Sequence, residues 1–154
     1  MQEGCQVMST VCPKESRVTK DKVLIVDDDP AVLLSIEALI SDHCAVTLAP
    51  SIAAAHAALQ NDAFDVVVTD FDLPDASGID LINSMRAEYP CTVGILLTGH
   101  SHHPEILKIQ PDGLRYRVVH KPFKPESFFA RIQQCIKIAK LQQSRSRLKS
   151  ERGT

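Results

Sequence analysis

The sequence predicts an α/β protein, a doubly wound five-stranded parallel sheet with helices on both faces. Three observations lead there. Short apolar runs rich in β-branched residues recur about every twenty residues along positions 21–120. Each run ends at a polar residue followed by turn or capping residues, and a segment of helical period comes next. Continuous apolar runs of this kind suit strands buried on both sides, which is the condition of a parallel sheet with right-handed helical crossovers.

The first strand is Val23-Leu24-Ile25-Val26, closed by Asp27-Asp28-Asp29. Pro30 fits the first position of a helix, with Asp29 as its N-cap. That helix places Val32, Leu33, Ile36, Leu39 and Ile40 on one face. Ala45 to Leu48 reads as a shorter second strand, and Ser51 caps an Ala-rich helix from Ile52 to Leu59. The third strand, Asp65 to Thr69, delivers Asp70 to a loop that begins Pro74-Asp75-Ala76-Ser77-Gly78. A third helix runs from Gly78 to Ala87, with Ile79, Leu81, Ile82 and Met85 apolar. Val93 to Leu97 is the fourth strand and stops at Thr98-Gly99-His100. Ser101-His102-His103-Pro104 opens a helix that Pro111-Asp112-Gly113 ends within two turns. Arg117 to His120 is the fifth strand, followed by Lys121-Pro122-Phe123. Pro125 starts the last helix, with Phe128, Phe129, Ile132, Ile136 and Ala139 as its apolar positions.

At 154 residues the chain suits one domain with a real core, and 44% apolar against 23% charged residues is ordinary for a water-soluble fold. Domain organisation reads as a flexible arm over 1–20, a body over 21–139 and a basic helical extension over 140–154. The net charge of −2 hides a segregation: residues 21–130 carry a balance of −9 and residues 131–154 a balance of +6. The basic end lacks aromatic residues for stacking bases and a second helix for reading a groove, which argues against nucleic acid. Leu141 and Leu148, seven apart, leave a homodimer open but do not make a coiled coil. No apolar run is long enough to span a bilayer, so no membrane is expected. Cys5, Cys12, Cys44, Cys91 and Cys135 show neither paired nor zinc-ligand spacing, and read as reduced thiols of a cytoplasmic protein.

In a parallel sheet every strand's carboxyl end lies on one edge, where open α/β sheets bind their ligands. Asp27, Asp28, Asp70, Thr98 and Lys121 therefore meet. Any one of these residues alone is an ordinary cap or turn former. Five compatible ones at the strand ends are not explained that way. Neighbouring carboxylates repel unless a cation compensates, and Mg2+ prefers hard oxygen ligands it shares with phosphate. A carboxylate nucleophile beside such an ion, with an ammonium and a hydroxyl, is equipment for phosphoryl transfer. His100, His102 and His103 are adjacent or nearly so and lack a further ligand at metal spacing, so they read as a solvated loop.

Val23-Leu24-Ile25-Val26-Asp27-Asp28-Asp29-Pro30, Val66 to Pro74 with Ser77-Gly78, Leu96-Leu97-Thr98-Gly99 and His120-Lys121-Pro122-Phe123 resemble the receiver domain of two-component response regulators. The resemblance covers about residues 21–139 in motif order. It implies the flavodoxin-like strand order 2-1-3-4-5. It implies that Asp70 accepts a phosphoryl group from the phosphohistidine of a sensor histidine kinase or phosphotransfer protein. Asp28 and Asp70 would then bind Mg2+ directly with the backbone carbonyl of Asp72, and Asp27 through water. Lys121 would pair with phosphoryl oxygens, Thr98 would carry the switch, and Lys121-Pro122 would be a cis peptide. Asp72 and His100 match positions that tune dephosphorylation in the family.

Two features depart from the family pattern. Val118 stands where receivers place Tyr or Phe, with Tyr116 two residues upstream on the same strand face. The fourth helix is short. With no second domain expected after residue 139, the chain reads as a stand-alone signalling receiver rather than a turnover enzyme, acting through an unknown downstream protein or onward phosphotransfer. One alternative is a pseudo-receiver that only binds partners. Another is a haloacid-dehalogenase-type phosphatase, suggested by Asp70-Phe71-Asp72. Against that phosphatase, its D-x-D should follow the first strand, and the chain leaves no room for a cap.

Overall fold

The computed structural model describes residues 20–99, 104 and 116–152. The strands are β1 (Asp21–Val26), β2 (Cys44–Ala49), β3 (Val66–Asp70), β4 (Val93–Thr98) and β5 (Tyr116–His120). The helices are α1 (Pro30–Ile40), α2 (Ile52–Asn61), α3 (Gly78–Glu88) and α4 (Pro125–Arg152). The strands form one sheet in the order β2-β1-β3-β4-β5, all parallel, as the doubly wound reading requires. The arm expected over residues 1–20 falls, Lys20 apart, outside the described residues. So do the short helix expected after Pro104, apart from Pro104 itself, and the three loop histidines.

Alternation along the buried strands sorts the core into two layers. Val23, Ile25, Val66, Val68, Val93, Ile95 and Leu97 face α1 and α4, where Leu33, Ile36, Phe128, Ile132 and Cys135 close over them. Leu24, Val26 and Val67 face the other way, against Ala55 and Leu59 of α2 and Leu81 and Met85 of α3. Phe71, Ile82 and Leu96 form a third, smaller cluster on that side, and Val118 packs against it half-buried. The residue that replaces the family's aromatic is thus turned towards α3. Tyr116 lies in β5 opposite Gly94.

Helix starts follow the capping chemistry of the sequence. Asp29 accepts from the Ala31 N–H at 2.9 Å and Pro30 opens α1. Ser77 and Asp80 form a reciprocal capping box on α3. The last helix runs on past Ala139 into the expected extension. It continues to Arg152, and its contacts with the sheet reach at least Gln143.

The anchor for that continuation is Asp65, buried just before β3 at the end of the sheet opposite Asp70. One carboxylate oxygen accepts from the Lys22 N–H at 3.0 Å, and the other accepts from Gln143 Nε2 at 2.8 Å. Lys140 Nζ stands 3.3 Å from Asp65 and 3.2 Å from Asp21. A buried carboxylate is tolerated because three groups satisfy it. Among the described residues no helix is long and apolar enough to cross a membrane, and Cys44, Cys91 and Cys135 are free thiols. Burial holds the Cys135 thiol at about 11, which makes it a core hydrophobe rather than a nucleophile.

Asp65→Ala leaves the Lys22 N–H without its acceptor, releases Gln143 and leaves Lys140 paired with Asp21 alone. A loss of about 2 kcal/mol in unfolding free energy is expected, read as a lower urea midpoint at unchanged slope, with Asp65→Asn losing less.

Candidate functional site

The strand ends bring the expected residues to one edge. Past β1, the Asp27 N–H donates to the Ala49 carbonyl at 3.1 Å. Past β3, the Phe71 N–H donates to the Leu97 carbonyl at 2.8 Å, and past β5 the Lys121 N–H donates to the Thr98 carbonyl at 2.8 Å. Sheet pairing therefore extends one residue beyond the strands and fixes the backbone beneath Asp27, Asp70, Thr98 and Lys121.

Asp27, Asp28 and Asp70 each place a carboxylate oxygen within 4.8 Å of the other two. Lys121 Nζ donates to Asp70 Oδ1 at 2.5 Å, an ion pair whose acidic side is nearly buried. Asp70 Oδ2 accepts from the Asp72 N–H at 3.2 Å. Asp27 Oδ1 accepts from the Asp29 N–H at 2.9 Å, while its buried Oδ2 has no partner among the described residues. Burial pushes the Asp27 carboxyl above the usual range; Asp70 and Asp28 add to the rise, and the Asp29 N–H and Lys121 oppose it. An orphaned carboxylate oxygen in a cluster of hard oxygen donors fits a small divalent cation.

Thr98 is buried at the end of β4, on the same edge as Asp70. The Asp72 side chain is exposed and its loop is closed by a bridge to Ser77. Lys121-Pro122 is a cis peptide. His100, expected to tune dephosphorylation, lies outside the described residues.

Two residues have roles that the sequence reading did not give them. Gly78 packs so tightly on β3 that a Cβ there would overlap the Asp70 carbonyl oxygen, and its N–H donates to the Phe71 carbonyl at 2.9 Å. Asp75 was visible only as a turn former, yet it reaches the first turn of α2. An apolar groove of about 520 Å³ opens beside the acidic edge, lined among others by Ala31, Val32, Ile36, Leu39 and Phe123.

The molecule is thus a doubly wound parallel α/β domain with an acidic cluster and one paired lysine at its carboxyl edge. The response regulator receiver domain family matches residues 23–133, and the chain belongs to that family. It is 32% identical over 126 residues to the transcriptional regulatory protein KdpE of Staphylococcus aureus, covering 80% of this chain and 53% of that protein. It is 30% identical to the transcriptional regulatory protein FixJ of Bradyrhizobium diazoefficiens, covering 79% and 59%. The chain thus spans a little over half the length of these two relatives. Among solved structures, it superposes on the chemotaxis response regulator CheY4 of Vibrio cholerae with TM-score 0.66 and 27% identity, covering 76% of this chain and 99% of that one. A receiver-domain protein of Methanospirillum hungatei gives TM-score 0.73 at 23% identity, over 80% and 99%. The expected fold and strand order are the observed ones.

Two outcomes follow from this crowding. Without divalent cation, Asp27→Asn keeps an acceptor for the Asp29 N–H but removes a buried charge, and should stabilise the protein at pH 7 by about 1 kcal/mol. Because the folded-state pKa of Asp27 lies above its unfolded value, the wild type regains that stability as pH falls through the raised pKa. The gap between variant and wild type in thermal melts therefore closes with acidification. Gly78→Ala forces the α3 start off the Asp70 strand, and a melting temperature lowered by several degrees is expected.

Proposed function

We propose that this receiver accepts a phosphoryl group on Asp70 from a phosphohistidine on a sensor histidine kinase or phosphotransfer protein. The observation that carries the reading is the Asp27, Asp28 and Asp70 cluster with Lys121 paired to Asp70. An Asp70 carboxylate oxygen attacks phosphorus as the phosphorus–nitrogen bond to the donor imidazole breaks. The nitrogen keeps the bonding electrons, and an acylphosphate forms. Lys121, already aimed at Asp70, balances charge on the phosphoryl oxygens, and Thr98 offers its hydroxyl to one of them. Asp28, Asp70 and the Asp72 carbonyl would hold Mg2+, with Asp27 acting through water. The ion supplies charge compensation and orients phosphoryl oxygens.

The apolar groove beside α1 gives the donor protein a face to rest on next to the reacting edge. The acylphosphate is later hydrolysed, so the chain works as a phosphorylated switch and not as a turnover enzyme. Its signal passes to a downstream protein by contacts that depend on phosphorylation. A cytoplasmic location goes with this reading, since that is where ATP-charged phosphohistidine donors arise. The phosphatase alternative is disfavoured because the second Asp of D-x-D, Asp72, has an exposed side chain, and its backbone N–H donates to Asp70.

Incubation with Mg2+ and a small acylphosphate donor should add one phosphoryl group per chain, labile to hydroxylamine. Asp70→Asn should abolish the adduct, Lys121→Ala should slow its formation at least tenfold, and chelation should prevent it. A phosphoryl group retained on Asp70→Asn would overturn the assignment.

A further inference from the structure

Helix α2 starts with its own N-cap, Ser51, whose hydroxyl accepts from the Ala54 N–H at 3.1 Å. The Ala55 N–H is met by the Ser51 carbonyl at 3.0 Å. That leaves the Ile52 and Ala53 N–H groups, which solvent ordinarily satisfies at a helix start. Here both are taken by one carboxylate from another part of the chain. Asp75 Oδ1 accepts from Ile52 at 3.2 Å and Oδ2 accepts from Ala53 at 3.1 Å. These backbone donors hold the Asp75 carboxyl below the usual range, so it is charged at neutral pH.

Asp75 sits at the tip of the loop that joins β3 to α3. The base of that loop is closed by the Asp72–Ser77 bridge, and its sides, Leu73 and Ala76, pack half-buried against the α2 and α3 core. At its base the loop also presents the Asp72 N–H to Asp70 Oδ2. An exposed carboxylate bonded in water adds little to stability. What it does fix is position, because two donors on a rigid helix hold both of its oxygens.

We propose that Asp75 is a positioning residue for the acceptor edge, clamping the 72–77 loop to α2 and so holding the Asp72 backbone where Asp70 and the cation need it. This rests on the reading of Asp70 and Asp72 given above. By linkage, cation binding and the closing of the clamp favour each other by one common factor. The first turn of α2 therefore reports on occupancy of a site to which it contributes no ligand.

The test uses the full chain and three variants, Asp75→Ala, Asp75→Asn and Ser51→Ala, with Mg2+ affinity measured by calorimetry and amide exchange followed at Ile52 and Ala53. The wild type should bind Mg2+ and show slower exchange at those two amides when loaded. Asp75→Ala should bind about fivefold or more weakly, with exchange there insensitive to the ion. Asp75→Asn, which keeps one acceptor, should fall between. Ser51→Ala loosens the same helix start without touching the loop, and should keep wild-type affinity. Wild-type affinity in Asp75→Ala, or an equal loss in Ser51→Ala, overturns the clamp while leaving the acceptor site standing. A wild type that binds no Mg2+ overturns the site reading itself, and the clamp with it.

Discussion

The mutual repulsion of Asp27, Asp28 and Asp70, whose oxygens lie within 4.8 Å of one another, is the constraint against which the acceptor edge is built. A parallel sheet delivers all of its strand ends to one side, so the crowding is a property of the topology as much as of the side chains. Such a cluster is held in place by what surrounds it. Lys121 compensates Asp70, the Asp29 N–H compensates Asp27, and backbone bonds from Asp27, Phe71 and Lys121 to neighbouring strands keep the loops from drifting apart. Two of the three carboxylates, Asp27 and Asp70, are buried, while Asp28 is exposed beside them. In the proposed reaction a cation or a phosphoryl group would meet groups already held in place, which would leave little reorganisation for the moment of binding.

Most of the fold was legible because the strands are buried on both faces, and continuous apolar runs such as Val23 to Val26 and Val66 to Val68 are stable in few places except a covered sheet. The edge residues were legible for a related reason. Once the strands are placed, the residues following them have to meet, and Asp27, Asp28, Asp70, Thr98 and Lys121 need no further geometry to be grouped. The helical extension past Ala139 was legible but its attachment was not, since the apolar period stops there and, among the described residues, Lys140 pairs with Asp21 and Asp65 and Gln143 donates to Asp65. Polar anchoring leaves no periodic trace.

Asp65 and Asp75 illustrate the same limit from the other side. Asp65 looked like the polar start of a strand, and Asp75 like one more turn residue. Their partners lie 78 and 23 residues away, and such pairings become visible only when the sheet has brought distant segments together. Gly78 is a different case. A glycine after Ser77 is an unremarkable helix start, and only the closeness of the Asp70 carbonyl shows that the position has no space for a side chain.

The length of α4 has an electrostatic consequence. Its 28 residues extend about 42 Å at 1.5 Å per residue, from beside Lys121 to well past the far end of the sheet. The screening length in physiological salt is about 8 Å. The cations gathered towards the end of that helix are therefore several screening lengths from the carboxylates at Asp70, and the near-zero net charge of the chain describes neither region. A charged partner approaching the Asp70 edge is therefore steered by that edge with little influence from the helix tip.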